Sequence, residues 1–151
     1  MQLSLFSDGL ALLPEAGDMS DAFWARVMEV KTAVNKALEA KRNEKLIGSG
    51  LGAEVTLFCD AELSTLLSRL QDELRFVLMV SQASLQSLDK AGDASETDVP
   101  GLRLSIAATG NAKCVRCWHH RPDVGNNAAH PELCARCVEN IEGQGEKRLY
   151  A

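Results

Sequence analysis

The chain has 151 residues, of which 46% are hydrophobic and 25% charged, and its net charge is −5. This composition excludes wholesale disorder and collagen-like or coiled-coil classes. The charge argues against a uniformly basic nucleic-acid binder, and no apolar run approaches the roughly 20 residues needed to cross a bilayer.

Taken in chain order, the first fourteen residues, MQLSLFSDGLALLP, lack a basic leader and carry Asp8 inside the apolar stretch. They read as neither a signal peptide nor an anchor, which points to the cytoplasm. Residues 20–46 read as a long helix with Ser20 as N-cap and Gly48 as stop, because Phe23, Val27, Val30, Val34 and Leu38 recur at helical spacing. Continued along the same face, the stripe meets Lys41 and Lys45, with Arg42 beside them. These cations fit a helix C-terminus, which favours positive charge. Residues 53–59 alternate as a half-buried strand, with Cys59 as a small core residue. Asp60 caps a second helix carrying Leu63, Leu66, Leu67 and Leu70. Leu74, Phe76, Leu78 and Val80 alternate, so residues 74–81 are predicted as a strand, with a continuation toward Leu88. Residues 89–101, DKAGDASETDVPG, read as an acidic loop, and Leu102, Leu104, Ile106 and Ala108 mark a last strand. The expected fold is α+β: a long helix packed on a small β-α-β-β sheet (residues 1–110), then a four-cysteine zinc-ribbon-like module (residues 111–151).

The final segment differs in composition from the rest. Residues 111–151 hold 6 Lys+Arg against 5 Asp+Glu, while residues 1–110 hold 10 against 16. All three histidines and four of the five cysteines fall in that last stretch. Cys114 and Cys117 form one C-x-x-C pair and Cys134 and Cys137 another, with sixteen residues between the pairs. This is zinc-site spacing: each tight turn presents two thiolates, and two turns complete a tetrahedral shell of four sulfurs. Disulfides are disfavoured without a secretory signal, and a redox C-x-x-C normally comes once. Four thiolates fill the coordination sphere, so one structural Zn2+ is expected and metal catalysis is not. The segment's few large apolar side chains include Val115, Trp118, Val124, Leu133 and Val138, too few for ~40 residues to fold without the metal.

These residues also carry a family resemblance. KCVRCWHH (113–120), ELCARCVENI (132–141) and GEKRLYA (145–151) resemble the C-terminal zinc motif of bacterial isoleucyl-tRNA synthetases. DAFWARVMEVKTAVNKALEAKRNEKLIGSGLGAEVTLF (21–58) is similar to the end of that family's anticodon-binding helical region, and DELRFVLMVS (72–81) also fits it. The resemblance spans residues 4–151. It implies a tRNA-binding tail that helps hold the anticodon side of tRNA(Ile) and carries no catalytic site. The implied partners are tRNA(Ile) and the remainder of the synthetase, with no membrane, and the tail is expected to be monomeric. ATP would serve only a catalytic domain outside this sequence, whose His-x-Gly-His and Lys-Met-Ser-Lys-Ser motifs do not occur here.

The candidate RNA contacts are Lys113, Arg116, Trp118, Arg136, Lys147 and Arg148, joined by Lys41, Arg42 and Lys45 on the helix. Lys113, Arg116 and Arg136 fit equally a role in neutralising the −2 charge of a zinc–tetrathiolate centre. Trp118 reads first as the plug of a small core, and second as a platform for base stacking. Two other readings remain: the zinc ribbon of a DNA-repair glycosylase-like protein, and a zinc-stabilised protein–protein module.

Overall fold

A computed structural model describes residues 19–151, so the reading of residues 1–14 concerns a segment outside it. Helix α1 spans Asp21–Asn43. The Ser20 hydroxyl accepts the Phe23 amide at 3.4 Å, as an N-cap should. Phe23, Val27, Val30, Ala33, Val34 and Leu38 are buried along one face. The helix stops earlier than Gly48. Glu44 is the C-cap, and Lys45 takes a left-handed conformation with φ 59°. Lys45 therefore lies beyond the helix, and the basic continuation of the stripe is confined to its last turn.

Strand β1 (Ala53–Cys59) alternates buried and half-buried residues, with Ala53, Val55, Leu57 and Cys59 inward. Asp60 follows. Its Oδ1 accepts the Leu63 amide at 2.8 Å and starts α2 (Ala61–Ser68). Gly101 packs directly against this cap: it has φ 74°, and a Cβ there would lie 2.0 Å from Asp60 Oδ2. Only glycine fits both constraints.

Residues 74–81 are not a strand. A 3-10 turn over Gln71–Glu73 leads into α3 (Leu74–Leu78), which ends at Met79 in the left-handed region. Leu70, Leu74 and Leu78 are buried four apart, and Arg75 is buried beside Leu74. The alternation of Leu74, Phe76 and Leu78 coexists with this four-residue period in a stretch of good helix formers, and the helical period wins. Strand β2 follows at Gln82–Ser87. The predicted acidic loop holds a 3-10 turn (Leu88–Lys90) and the two-residue β3 (Ser95–Glu96), and β4 runs Leu102–Ala108.

The sheet order is β2-β1-β4-β3. Central β1 pairs parallel with β2, setting Leu57 beside Leu85, and antiparallel with β4, setting Leu57 beside Leu104. The parallel pair is joined by the α2–α3 crossover, as parallel strands require. The main core joins the α1 stripe, the inward side chains of β1 and β4, and the leucines of α2 and α3. A second, smaller cluster comprises Cys114, Cys134 and Cys137, with Cys117, Val124 and Leu133 against them. Helix α4 (Ala135–Glu142) belongs to this second cluster. Among the described residues no helix is long and apolar enough to cross a membrane.

Candidate metal centre and nucleic-acid interface

The two cysteine pairs meet through two different local structures. Cys114 and Cys117 sit on a tight turn: the Trp118 amide donates to the Cys114 carbonyl at 2.9 Å, and the Cys114 amide donates to the His119 carbonyl at 2.9 Å. Cys134 is the N-cap residue of α4, and Cys137 lies in its first turn. The positive end of the helix dipole therefore faces the sulfurs.

All four Sγ atoms lie within 4.8 Å of one another, and Cys117 Sγ is 3.7 Å from Cys134 Sγ. A tetrahedron with Zn–S bonds of about 2.3 Å has edges of about 3.8 Å, so the donor set and its size suit zinc. Cys114, Cys134 and Cys137 are buried and Cys117 is partly so. Their electrostatics also call for a cation. Burial pushes the Cys114 thiol up, but the amides of Cys117, Cys134 and Arg116 together bring it down to about 6. The Cys134 thiol is pushed up to about 12, first by burial and then by Cys117, and Cys137 is also raised, mainly by burial. Several thiolates cannot crowd together there without a compensating positive charge.

The candidate RNA contacts separate into groups. Arg116 donates from Nη1 toward Cys137 Sγ at 3.6 Å. Arg136 bonds Glu146 at 2.9 Å, and burial opposing its charge is outweighed by the Cys117 thiol and Glu146. Arg148 bonds Glu146 at 3.2 Å. Lys41 pairs with Glu44 at 2.9 Å and Arg42 with Glu39 at 2.8 Å, so both are engaged at the helix end. Lys113, Lys147 and Lys45 are exposed.

Trp118 does not plug a core. It is 60% exposed, with φ 65°, and Lys113 Nζ lies 4.8 Å from its ring centre. The cysteines and half-buried Val124 and Leu133 already fill the small core. The turn between Cys114 and Cys117 then turns the indole outward. A bulky residue in the left-handed region costs roughly 1–2 kcal/mol, and such strain collects at functional positions.

The cysteine cluster joins the main core through residues that periodicity did not mark. Buried Ser81 accepts the His120 amide on Oγ at 2.7 Å, and its carbonyl accepts Arg121 Nη1 at 3.2 Å. Glu54 accepts Thr109 Oγ1 at 2.7 Å and Asn111 Nδ2 at 3.3 Å. Phe76 is surrounded by cations: Arg75 at 4.1 Å, Arg148 at 4.2 Å and Arg136 at 5.1 Å from its ring centre. His119 meets its edge at 5.6 Å. Burial lowers the His119 pKa, with Arg75, Arg136 and Arg121 adding to the effect against the bond to the Cys117 carbonyl. Its Nδ1 lies 3.2 Å from that carbonyl, which can only accept, so Nδ1 carries a proton. Glu73 accepts the amides of Leu149, Tyr150 and Ala151 at 2.6, 2.6 and 2.9 Å, folding the tail onto α3.

Residues 112–140 match the family described as "Zinc finger found in FPG and IleRS". The whole chain is similar to isoleucine–tRNA ligases. It is 53% identical over 150 residues to that of Alcanivorax borkumensis, covering 99% of the chain and 16% of the relative. It is 54% identical over 152 residues to that of Ectopseudomonas mendocina and 52% over 152 to that of Azotobacter vinelandii, covering 100% of the chain and 16% of each relative. The chain thus spans about one sixth of the length of these relatives, and the resemblance drawn from its motifs holds over its whole length.

Proposed function

Starting from a chain that matches one stretch of bacterial isoleucine–tRNA ligases along its whole length, we propose that it is their C-terminal tRNA-binding region. In this reading residues 1–110 end the anticodon-binding region and residues 111–151 form the zinc module. Cys114, Cys117, Cys134 and Cys137 hold one structural Zn2+. The module helps hold the anticodon side of tRNA(Ile) in the cytoplasm, as part of a single synthetase chain. Activation and transfer chemistry, with its ATP, belongs to a catalytic domain outside this sequence, and these residues contribute none of it.

The observation that carries the reading is Trp118: an aromatic ring held outward by a strained turn, 60% exposed, with Lys113 over it. Unstacked RNA bases are recognised by such rings, and neighbouring cations meet the phosphates. Contacts remote from the reacting atoms hold a substrate in position for chemistry elsewhere. Lys113, Trp118 and Lys147 are the favoured contacts, with Arg116 at the edge of the metal site. Arg136 and Arg148 serve the metal site and the Phe76 stack first. Lys41 and Arg42 pair with Glu44 and Glu39 at the helix end, where Lys45 is also exposed. A zinc ribbon of a glycosylase-like protein would show similarity confined to residues 112–140; the whole-length match favours the synthetase.

The test is a titration of the zinc-loaded chain with tRNA(Ile) and with duplex DNA of equal charge, at several salt concentrations. The reading predicts saturable binding to tRNA(Ile) that Trp118→Ala weakens. Equal binding to the DNA, or no binding to either, would refute it.

A further inference from the structure

Residues 149–151 curl around one side chain at the start of α3. Glu73 Oε1 accepts the Leu149 amide at 2.6 Å, and Oε2 accepts those of Tyr150 and Ala151 at 2.6 and 2.9 Å. Arg148 Nη1 closes the curl on the Ala151 carbonyl at 3.1 Å. Three consecutive backbone N–H groups aimed at one anion form a nest, the arrangement by which many proteins bind phosphate.

Apolar packing does not account for the curl. Leu149 is 68% exposed and Tyr150 41%, so the polar contacts hold the tail in place. The electrostatics agree. Burial opposes ionisation of Glu73, yet the three amides and Arg148 hold its carboxyl below the ordinary carboxylate range. Lys147, next in the chain, is exposed and has no ion pair among the described residues. The nest with its two preceding cations thus favours negative charge beyond the single carboxylate it holds.

Glu73 is also replaceable. An exposed charged contact is worth about 1 kcal/mol or less, so displacing it costs an incoming anion at most about fivefold in affinity. A phosphodiester fits the same three donors, because it too presents two charged oxygens on one atom. Backbone N–H groups, lysine and arginine are its ordinary partners in nucleic-acid complexes. A neutral group would leave the positive potential unused, and a cation would be repelled.

We propose that the amides of Leu149, Tyr150 and Ala151, with Lys147 and Arg148, form a cradle for one RNA backbone phosphate, which Glu73 occupies in the free chain and yields on binding. This inference rests on the RNA-binding reading above. It adds the place of one phosphate and the internal group that stands in for it.

The test follows amide exchange in the 15N-labelled, zinc-loaded Glu73→Ala chain, alone and saturated with tRNA(Ile). Alone, the three tail amides should exchange freely. With tRNA(Ile) they should slow by at least about tenfold, the worth of a hydrogen bond to a charged group. In the wild-type complex the 13C signal of the Glu73 carboxyl should move to that of a solvated carboxylate. Ala151→Pro, which removes one donor, should weaken tRNA(Ile) binding roughly two- to tenfold with zinc retained. Tail amides that stay open in the Glu73→Ala complex, a Glu73 signal that does not move, or unchanged affinity in Ala151→Pro would overturn the cradle. If tRNA(Ile) binds in those cases, the RNA-binding reading stands without it; if tRNA(Ile) does not bind, both fall.

Discussion

Removing the metal should unfold the module and leave the sheet domain standing. The small cluster buries three cysteines fully, and its apolar partners Val124 and Leu133 are only half-buried. Two such side chains contribute at most about 3–6 kcal/mol, and less when partly exposed. Zinc binding to a tetrathiolate site supplies roughly 10–16 kcal/mol at neutral pH, so the ion outweighs the module's own core. The sheet domain rests instead on a continuous core from Phe23 to Leu104. When the module opens it loses the bonds at Ser81, the Glu54–Asn111 bond, the Glu73 clasp on the tail and the Phe76 stack. Amide exchange after chelation should show the Trp118 and Val138 N–H groups, which donate to the Cys114 and Cys134 carbonyls, losing protection. The β1 amides should keep theirs. A chain verified as metal-free that still protects Trp118 and Val138 would show that the module folds without zinc, and one in which β1 unfolds together with it would show a single folding unit; either result overturns this expectation.

Zinc affinity should rise with pH, since burial holds Cys134 up to about 12 and Cys137 above its ordinary value, so the ion must displace at least these two protons. Chelator competition at pH 7 and pH 8 should show at least about a hundredfold gain; an unchanged constant would contradict thiolate ligation. Lys113→Gln with Lys147→Gln should reduce the salt slope of tRNA binding by about 1.4–1.8, the value for two lost phosphate contacts. An unchanged slope would remove both from the interface. Glu73→Gln should free the tail amides of Leu149–Ala151 to exchange and cost less than about 1 kcal/mol, because the carboxylate lies at the surface. The Glu73 carboxyl is held below the ordinary carboxylate range: burial opposes ionisation, and the three tail amides with Arg148 outweigh it. Its contribution is therefore complete above the ordinary carboxylate pKa and disappears as pH falls through the lowered value. Wild type and Glu73→Gln should thus converge in melting temperature only in strong acid; convergence near neutrality would contradict the clasp.

The metal centre was legible because metal ligation writes its geometry into spacing: two residues between thiolates and four thiolates in all. Strand β1 and the caps at Ser20 and Asp60 were legible for the same reason, as local rules with little competition. Residues 74–78 defeated that approach. Leu74, Phe76 and Leu78 fit a period of two, while Leu70, Leu74 and Leu78 fit a period of four, and only packing against the sheet decides. Phe76 was then hidden as a strand residue, and with it the guanidinium stack. Trp118 was placed inward by its size, although the cysteines left no room there. Ser81 carries no sequence signal at all: its role comes from a tertiary meeting with His120 and Arg121, thirty-nine and forty residues away.

In the proposed reading, this region grips the anticodon side of tRNA(Ile) through the surface around Trp118. Nuclease protection of end-labelled tRNA(Ile) by the zinc-loaded chain tests that grip. Protection should centre on the anticodon loop and be lost in Trp118→Ala with zinc retained. Protection centred on the acceptor stem, or an anticodon-loop footprint unaltered in Trp118→Ala, would contradict it.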